Sequence, residues 1–281
     1  MQAVEATGTN EIADDLALIR EAAREAGRIA MSFFGKNPEV WLKTGASPVS
    51  AADYAVDHFL RKFLIGARPA YGWLSEETVD TPERLSALRT FVVDPIDGTR
   101  AFIEGRSTWC VSVAVVEAGR PLAGVLDCPA RNEFFEAAVG GGAFKDGERI
   151  AVRAAGPTPL VAGPKSLFAN ADIPWPGNFR RGPYFPSLAY RVAAVASGDL
   201  DATYVKPNAH DWDIAAADVI LSEAGGRIVD ALGANLVYAG TDPRHGALVA
   251  GSGRLLERLS EMLAAISRDG QEAVSNTPDS V

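Results

Sequence analysis

The chain has two cysteines and three histidines in 281 residues. Cys110 and Cys128 lack the close spacing of a zinc site and stand in valine-rich runs, so buried, reduced thiols are expected. His58, His210 and His245 are scattered, and a lone histidine is ordinarily structural or exposed. Positive charge is also short, with 27 Lys and Arg against 36 Asp and Glu and a net charge of −9. That balance argues against a nucleic-acid partner, because affinity for the phosphate backbone rests on clustered cations. No run reaches the ~18 uncharged residues that suggest a membrane span. The opening MQAVEATGTN has neither a basic stretch nor an apolar core. The expectation is a cytoplasmic protein without membrane or nucleic-acid partners.

What is present is a soluble, globular composition, 47% hydrophobic and 22% charged, long enough for one large or two ordinary domains. Ile12, Leu16, Ile19, Ala23, Ala26, Ala30 and Phe33 recur at threes and fours, which predicts a helix ending near Gly35. A second helix is expected from Ser50, turning Val56, Phe59, Leu60 and Phe63 inward. The period then changes: TFVVD, WCVSVAVVEAG, PLAGVLD and NEFFEAAVG read as consecutive strands, with a hairpin across EAGR. After GGGAFKDGERI a strand is expected at PLVAG, then a loop through IPWPGNFRRGPYFP. Helices follow from Ser187 to about Gly198 and from about Asp211 to Gly225, then strands at GRIVD and GALVA and a helix from Ser252 to Arg268. The chain thus divides into a disordered lead-in (1–10), an α+β half (11–152), an α/β half (153–268) and a disordered tail (269–281), with no internal repeat.

The stretch VVDPIDGTR, Val92 to Arg100, has an ordinary reading: Asp and Pro stop a strand, Asp-Gly turns, and Thr caps the next element. Its company weakens that reading. Glu76 and Glu77 stand in WLSEET, and Asp211 and Asp213 open the helix of HDWDIAAADVILSEAGG. Each pair has its own bland explanation, since acidic residues suit a helix N-terminus and paired glutamates are usually solvated. Together, Asp94 and Asp97 at the mouth of a strand, with a glutamate and a remote aspartate folded against them, suit magnesium. That hard cation takes oxygen ligands, and two such ions sit about 4 Å apart in two-metal phosphoryl chemistry. Gly98, lacking a side chain, lets backbone N–H groups approach a phosphate closely.

WLSEET, VVDPIDGT and WDIAAADVILSEAGG, in this order, together with KTGASPVSAAD, resemble the inositol monophosphatase superfamily of magnesium-dependent, lithium-sensitive phosphatases. The resemblance covers nearly all of residues 11 to 268. It implies a mixed α+β, layered αβαβα fold of the α/β class whose two halves meet at the metal site. It further implies that Glu76, Asp94, Asp97, Asp213 and the carbonyl of Ile96 hold two or three Mg2+ ions, with Asp94 bridging. Thr99 and Asp53 would orient the attacking water, with Glu76 close to it. Gly98 and Thr99 would supply N–H groups to the phosphate, and Lys43 matches a basic position near the entrance. Ser50 and Asp53 also make a capping pair, and both roles can hold at once. Asp211 and Glu77 flank matched ligands without matching any. The implied reaction is hydrolysis of a small phosphomonoester by direct attack of water, without a phosphoenzyme, and with Asp213 on the leaving-oxygen side. Lithium would inhibit, and many relatives are homodimers. A reading of another class is a non-catalytic interaction protein on the same fold, against which the intact acidic set argues.

For the substrate, the inositol enzymes commonly carry a Glu seven residues before the Asp of WD, and here that position is Lys206. Arg191, in SLAYRVAAVASG, falls where the 3′-phosphoadenosine phosphatases of the superfamily have a basic residue. DGTRAFI also resembles their DGTKEFI more than the DGTTNF of the inositol enzymes. The expectation is a 3′(2′),5′-bisphosphate nucleotidase with Lys43, Arg191 and Lys206 on the substrate. The alternatives are inositol 1-phosphate, then histidinol phosphate or fructose 1,6-bisphosphate. Arg191 and Lys206 read equally well as solvated surface charges.

Overall fold

The apolar stripe of the first segment forms α1 (Gln2–Phe33), whose Ile19, Ala23, Ala26 and Ala30 are fully buried. The structure, a computed structural model, describes residues 2–36, 39–42, 48–164 and 178–275. An antiparallel hairpin of β1 (Val40–Leu42) and β2 (Pro48–Ser50) delivers Ser50 as the N-cap of α2 (Ala51–Ala67). Val56, Leu60 and Leu64 of α2 are buried in one cluster with the stripe of α1.

Both helices cover one face of a seven-stranded sheet. Its strands are β3 (Gly72–Ser75), β4 (Arg89–Asp97), β5 (Cys110–Glu117), β6 (Arg120–Cys128), β7 (Glu133–Ala138), β8 (Gly142–Lys145) and β9 (Glu148–Ile150), adjacent in that order. Pairing is antiparallel except between β3 and β4. The β5–β6 hairpin turns through Ala118 and Gly119, both at positive φ, which matches the twist of the strands they join. β4 is buried along its whole length, with Phe91 and Val93 facing α1 and α2 and Val92 facing the opposite side. Cover on both faces accounts for its unbroken apolar sequence.

After the short α3 (Thr99–Ile103), the chain builds a second sheet from β10 (Leu160–Ala162), β11 (Arg180–Arg181) and β12 (Ala202–Val205). A separate small pairing of β13 (Ala209–His210) comes next, followed by the sheet strand β14 (Arg227–Asp230). The partner of β13 is β15 (Arg244–His245), and β16 (Leu248–Gly251) completes the sheet in the order β11-β10-β12-β16-β14. Between the two sheets lie α4 (Leu188–Ala196) and α5 (Asp211–Glu223). The outer face of the second sheet is covered by α6 (Gly253–Ser275), where Leu256, Leu259 and Leu263 pack on Val161, Tyr204 and Val249. The layers are therefore αβαβα, as the sequence implied. The terminal segments differ from expectation. α1 starts at Gln2 in place of a disordered lead-in, and α6 continues past 268 to Ser275. Gln, Ala and Glu are good helix formers, and no proline stands in either extension. Residues 276–281 of the expected tail lie outside the described residues. Among those described, no helix is long and apolar enough to cross a membrane.

Candidate metal centre and active site

Residues three apart on a regular strand point to opposite faces, so Asp94 and Asp97 should diverge. They do not, because the β4–β5 register shifts between them, and such an irregularity re-aims side chains. Carboxylate oxygens of Asp94, Asp97 and Asp213 all lie within 4.8 Å of one another. Asp94 Oδ1 accepts the N–H of Ile96 at 3.0 Å, and the carbonyl of Ile96 accepts Thr99 Oγ1 at 3.0 Å. Glu76 leaves the end of β3, where its N–H donates to Val93 O at 3.3 Å, and its charge acts on all three aspartates.

Asp213 arrives from the other sheet's side, in the first turn of α5, where its Oδ2 accepts the N–H of His210 at 2.7 Å. His210 stacks on Trp212 at 4.5 Å. Asp211 is fully buried, accepting Ala239 N–H at 2.7 Å and pairing with His245 Nε2 at 2.6 Å. It therefore anchors the 239–245 segment to the start of the helix that presents Asp213.

Burial, reinforced by the charges of Glu76, Asp97 and Asp213, holds Asp94 well above the usual carboxylate range. Burial and Asp97 do the same to Asp213. Asp97 is pushed by burial up to about 6, with donors from Ser187, Ala189 and Leu188 restraining the rise. Crowded carboxylates, two of them buried, that repel one another make a donor set suited to a hard divalent cation, which would relieve that repulsion.

Asp53 is fully buried at the start of α2. Its Oδ2 accepts Ser50 N at 2.8 Å and Ser50 Oγ at 2.6 Å, which closes the cap, while Oδ1 stands 3.3 Å from Thr99 Oγ1. One carboxylate thus caps a helix with one oxygen and reaches Thr99 with the other.

Sequence reasoning did not foresee the partners of Asp97. Ser187 Oγ donates to Asp97 Oδ2, as does Ala189 N at 2.7 Å, and Leu188 N reaches Oδ1 at 3.2 Å. The N-terminus of α4 is therefore docked on the loop that carries Asp97. Gly98 permits the approach: it adopts φ +93°, and a Cβ there would meet Ser187 Cβ and Thr108 O at 3.1 Å. Ser187 was legible as a helix cap, and its Oγ does accept Tyr190 N at 3.0 Å. Nothing local pointed to Asp97.

Of the three cations expected on the substrate, Lys206 is exposed directly after β12. Arg191 is half-buried, with Nη1 near Phe185 O at 3.5 Å, Nη2 donating to Tyr204 O at 3.2 Å, and a buried Nε without a partner among the described residues. Lys43 lies outside the described residues. Both cysteines are free and buried, as expected.

The inositol monophosphatase family model matches residues 13–272. An inositol-1-monophosphatase of Rhizobium meliloti (strain 1021) is 31% identical over 264 residues, covering 86% of this chain and 93% of the relative. A histidinol-phosphatase of Mycobacterium tuberculosis (strain ATCC 25618 / H37Rv) is 32% identical over 267 residues, covering 90% and 98%. Among solved structures, the extragenic suppressor protein suhB from Bartonella henselae superposes with a TM-score of 0.75 at 29% identity, covering 89% of this chain and 98% of its own. The Thermotoga maritima IMPase gives 0.78 at 26% identity, covering 91% and 99%. The family is metal-dependent, in keeping with the acidic cluster. The chain belongs to the inositol monophosphatase family and is a phosphoric monoester hydrolase.

Proposed function

We propose that the enzyme is a magnesium-dependent, lithium-inhibited phosphatase that acts on a 3′(2′),5′-bisphosphonucleoside by direct attack of water. The phosphatase reading rests on the convergence of Asp94, Asp97 and Asp213 within 4.8 Å at the end of β4. Glu76, those three aspartates and the carbonyl of Ile96 would hold the metal. When bound, it supplies Lewis acidity toward the phosphate and lowers the pKa of water. Asp53 Oδ1 accepts the Thr99 hydroxyl proton, which turns the Thr99 oxygen into an acceptor that can orient a water. N–H groups of Gly98 and Thr99, at the turn into α3, are available to phosphate oxygens. The reading extends to a cytoplasmic homodimer.

Lys206 carries the substrate assignment: it offers an exposed cation seven residues before Asp213, in a net-acidic chain. A second phosphate, out of reach of the metal, needs such a group. Arg191 already engages main-chain carbonyls, so the direct contact is assigned to Lys206. The relatives named inositol-1-monophosphatase and histidinol-phosphatase favour a second reading, a substrate with one phosphate. The test is a phosphate-release panel with magnesium over adenosine 3′,5′-bisphosphate, inositol 1-phosphate, histidinol phosphate and fructose 1,6-bisphosphate. Highest kcat/KM on the first is expected. A higher value on inositol 1-phosphate or histidinol phosphate replaces this reading with the second.

A further inference from the structure

Four residues beyond Asp53, on the same face of α2, stands a second buried carboxylate, Asp57, 7% exposed. Its two oxygens are used separately. Oδ1 accepts Ser75 Oγ, and Oδ2 accepts Thr78 Oγ1 at 2.7 Å. Ser75 and Thr78 bracket Glu76 and Glu77. The hydroxyls are themselves fixed, since Thr78 Oγ1 accepts Trp73 Nε1 at 3.3 Å and Ser75 Oγ accepts Glu77 N at 3.4 Å. Glu76's own N–H is tied to Val93 O, one residue before Asp94. The segment leaving β3 is thus pinned to β4 on one side and to α2 on the other.

A buried carboxylate whose partners among the described residues are two hydroxyls is a poor source of stability, because an uncompensated charge away from water is costly. It is an effective source of geometry. The short, charge-assisted bonds fix both flanks of Glu76 relative to the helix that also holds Thr99 through Asp53. We infer that Asp57 is a positioning residue for Glu76, setting where that carboxylate enters the metal centre. The inference rests on the reading of Glu76 as a metal ligand.

The test counts bound Mn2+ by electron paramagnetic resonance in wild type, Glu76→Gln, Asp57→Asn, Thr78→Val and Thr78→Ser, with circular dichroism to confirm folding. Partners that orient a metal ligand typically change affinity about 10- to 100-fold. Glu76→Gln is expected to weaken Mn2+ strongly. Asp57→Asn and Thr78→Val are expected to weaken it about tenfold, and Thr78→Ser, which keeps the hydroxyl, to bind as wild type. In hydrolysis, Asp57→Asn and Thr78→Val should raise the magnesium concentration needed for half-maximal rate while leaving kcat at saturating magnesium within about threefold. If Asp57→Asn does not fold, the Thr78 pair decides. Wild-type Mn2+ affinity in folded Asp57→Asn or in Thr78→Val, with Glu76→Gln impaired, overturns the inference. So does equal loss in Thr78→Val and Thr78→Ser. Wild-type affinity in Glu76→Gln instead removes the ligand reading on which it stands.

Discussion

Thr99 Oγ1 stands 3.3 Å from Asp53 Oδ1 and 3.0 Å from the carbonyl of Ile96, so its single proton has an acceptor on either side. In the proposed reaction the proton goes to Asp53 and the oxygen faces the water. Thr99→Ala and Asp53→Asn should each lower kcat by about 10²–10⁴-fold, the range of general acid–base contributions. The double variant should lose little more than either alone, because the two act as one unit. Stability separates them. Asp53 also closes the cap at Ser50, so Asp53→Asn should lose about 0.5–2 kcal/mol more in urea denaturation than Thr99→Ala, which leaves that cap intact. Additive rate losses in the double variant contradict the pairing.

Asp97 and Ser187 join the loop at the end of β4 to α4 across 90 residues of chain. Ser187→Ala removes a hydroxyl donor to a buried carboxylate and the cap on Tyr190 N together. A loss of about 2.5–4 kcal/mol is expected in metal-free protein, from roughly 1.5–3 for the charged hydrogen bond and about 1 for the cap. In an Asp97→Asn background the same change should cost only the cap. A double-mutant cycle that gives no coupling shows that the Ser187 hydroxyl does not stabilise Asp97.

Asp218, on α5, accepts Tyr238 Oη at 2.7 Å, and burial pushes its carboxyl from 3.8 up to about 6. The folded state therefore binds this proton more tightly than the unfolded state does. As pH rises from about 4 to about 6 the unfolded chain ionises first, and stability falls. The contribution is fully present below the unfolded pKa and is lost as pH passes through the folded one. The size is on the order of 3 kcal/mol, at about 1.4 kcal/mol per tenfold change in proton affinity. Asp218→Asn cannot ionise, so it should match wild type at pH 4 and be more stable at pH 7. Chemical denaturation at both values checks this, and a variant less stable at pH 7 rules it out.

The site was legible where its chemistry is local and obscure where it depends on distant contacts. The DPIDGT block and the Ser50–Asp53 spacing announce a carboxylate cluster and a cap within a few residues. How Asp94 and Asp97 converge was not legible, because residues three apart on a regular strand would diverge and the register shift against β5 that turns them together is a pairing between strands. Asp57 reads as one more polar residue in AADYAVDHFL, since its hydroxyl partners lie 18 and 21 residues away. Arg191 reads in sequence as a substrate cation or a solvated surface charge, because its partners, Phe185 O and Tyr204 O, are backbone atoms that no side-chain pattern records. The helices and strands were legible because the αβαβα layers bury apolar faces of clear period. Burial of β4 and β5 on both faces turned alternation into continuous valine runs that still read as strands.

Lys206 follows β12 directly and is exposed, seven residues ahead of Asp213. An ammonium there suits a phosphate, whereas a carboxylate suits hydroxyl donors, so the sign of this one side chain should sort substrates. A charge-assisted hydrogen bond contributes about 1.5–3 kcal/mol, roughly tenfold to a hundredfold in affinity. Lys206→Glu replaces that attraction with repulsion. It should reduce kcat/KM for adenosine 3′,5′-bisphosphate by at least about a hundredfold, mostly through KM, while changing turnover of inositol 1-phosphate by less than about threefold. Lys206→Gln, which removes the charge without reversing it, should fall between. Ionic strength gives an independent check, because an exposed ion pair is screened by salt. Wild-type KM for the bisphosphate should rise with added potassium chloride more steeply than in Lys206→Gln. Equal losses on both substrates in Lys206→Glu would show that the side chain supports the fold or the metal centre. In that case the specificity belongs to other residues.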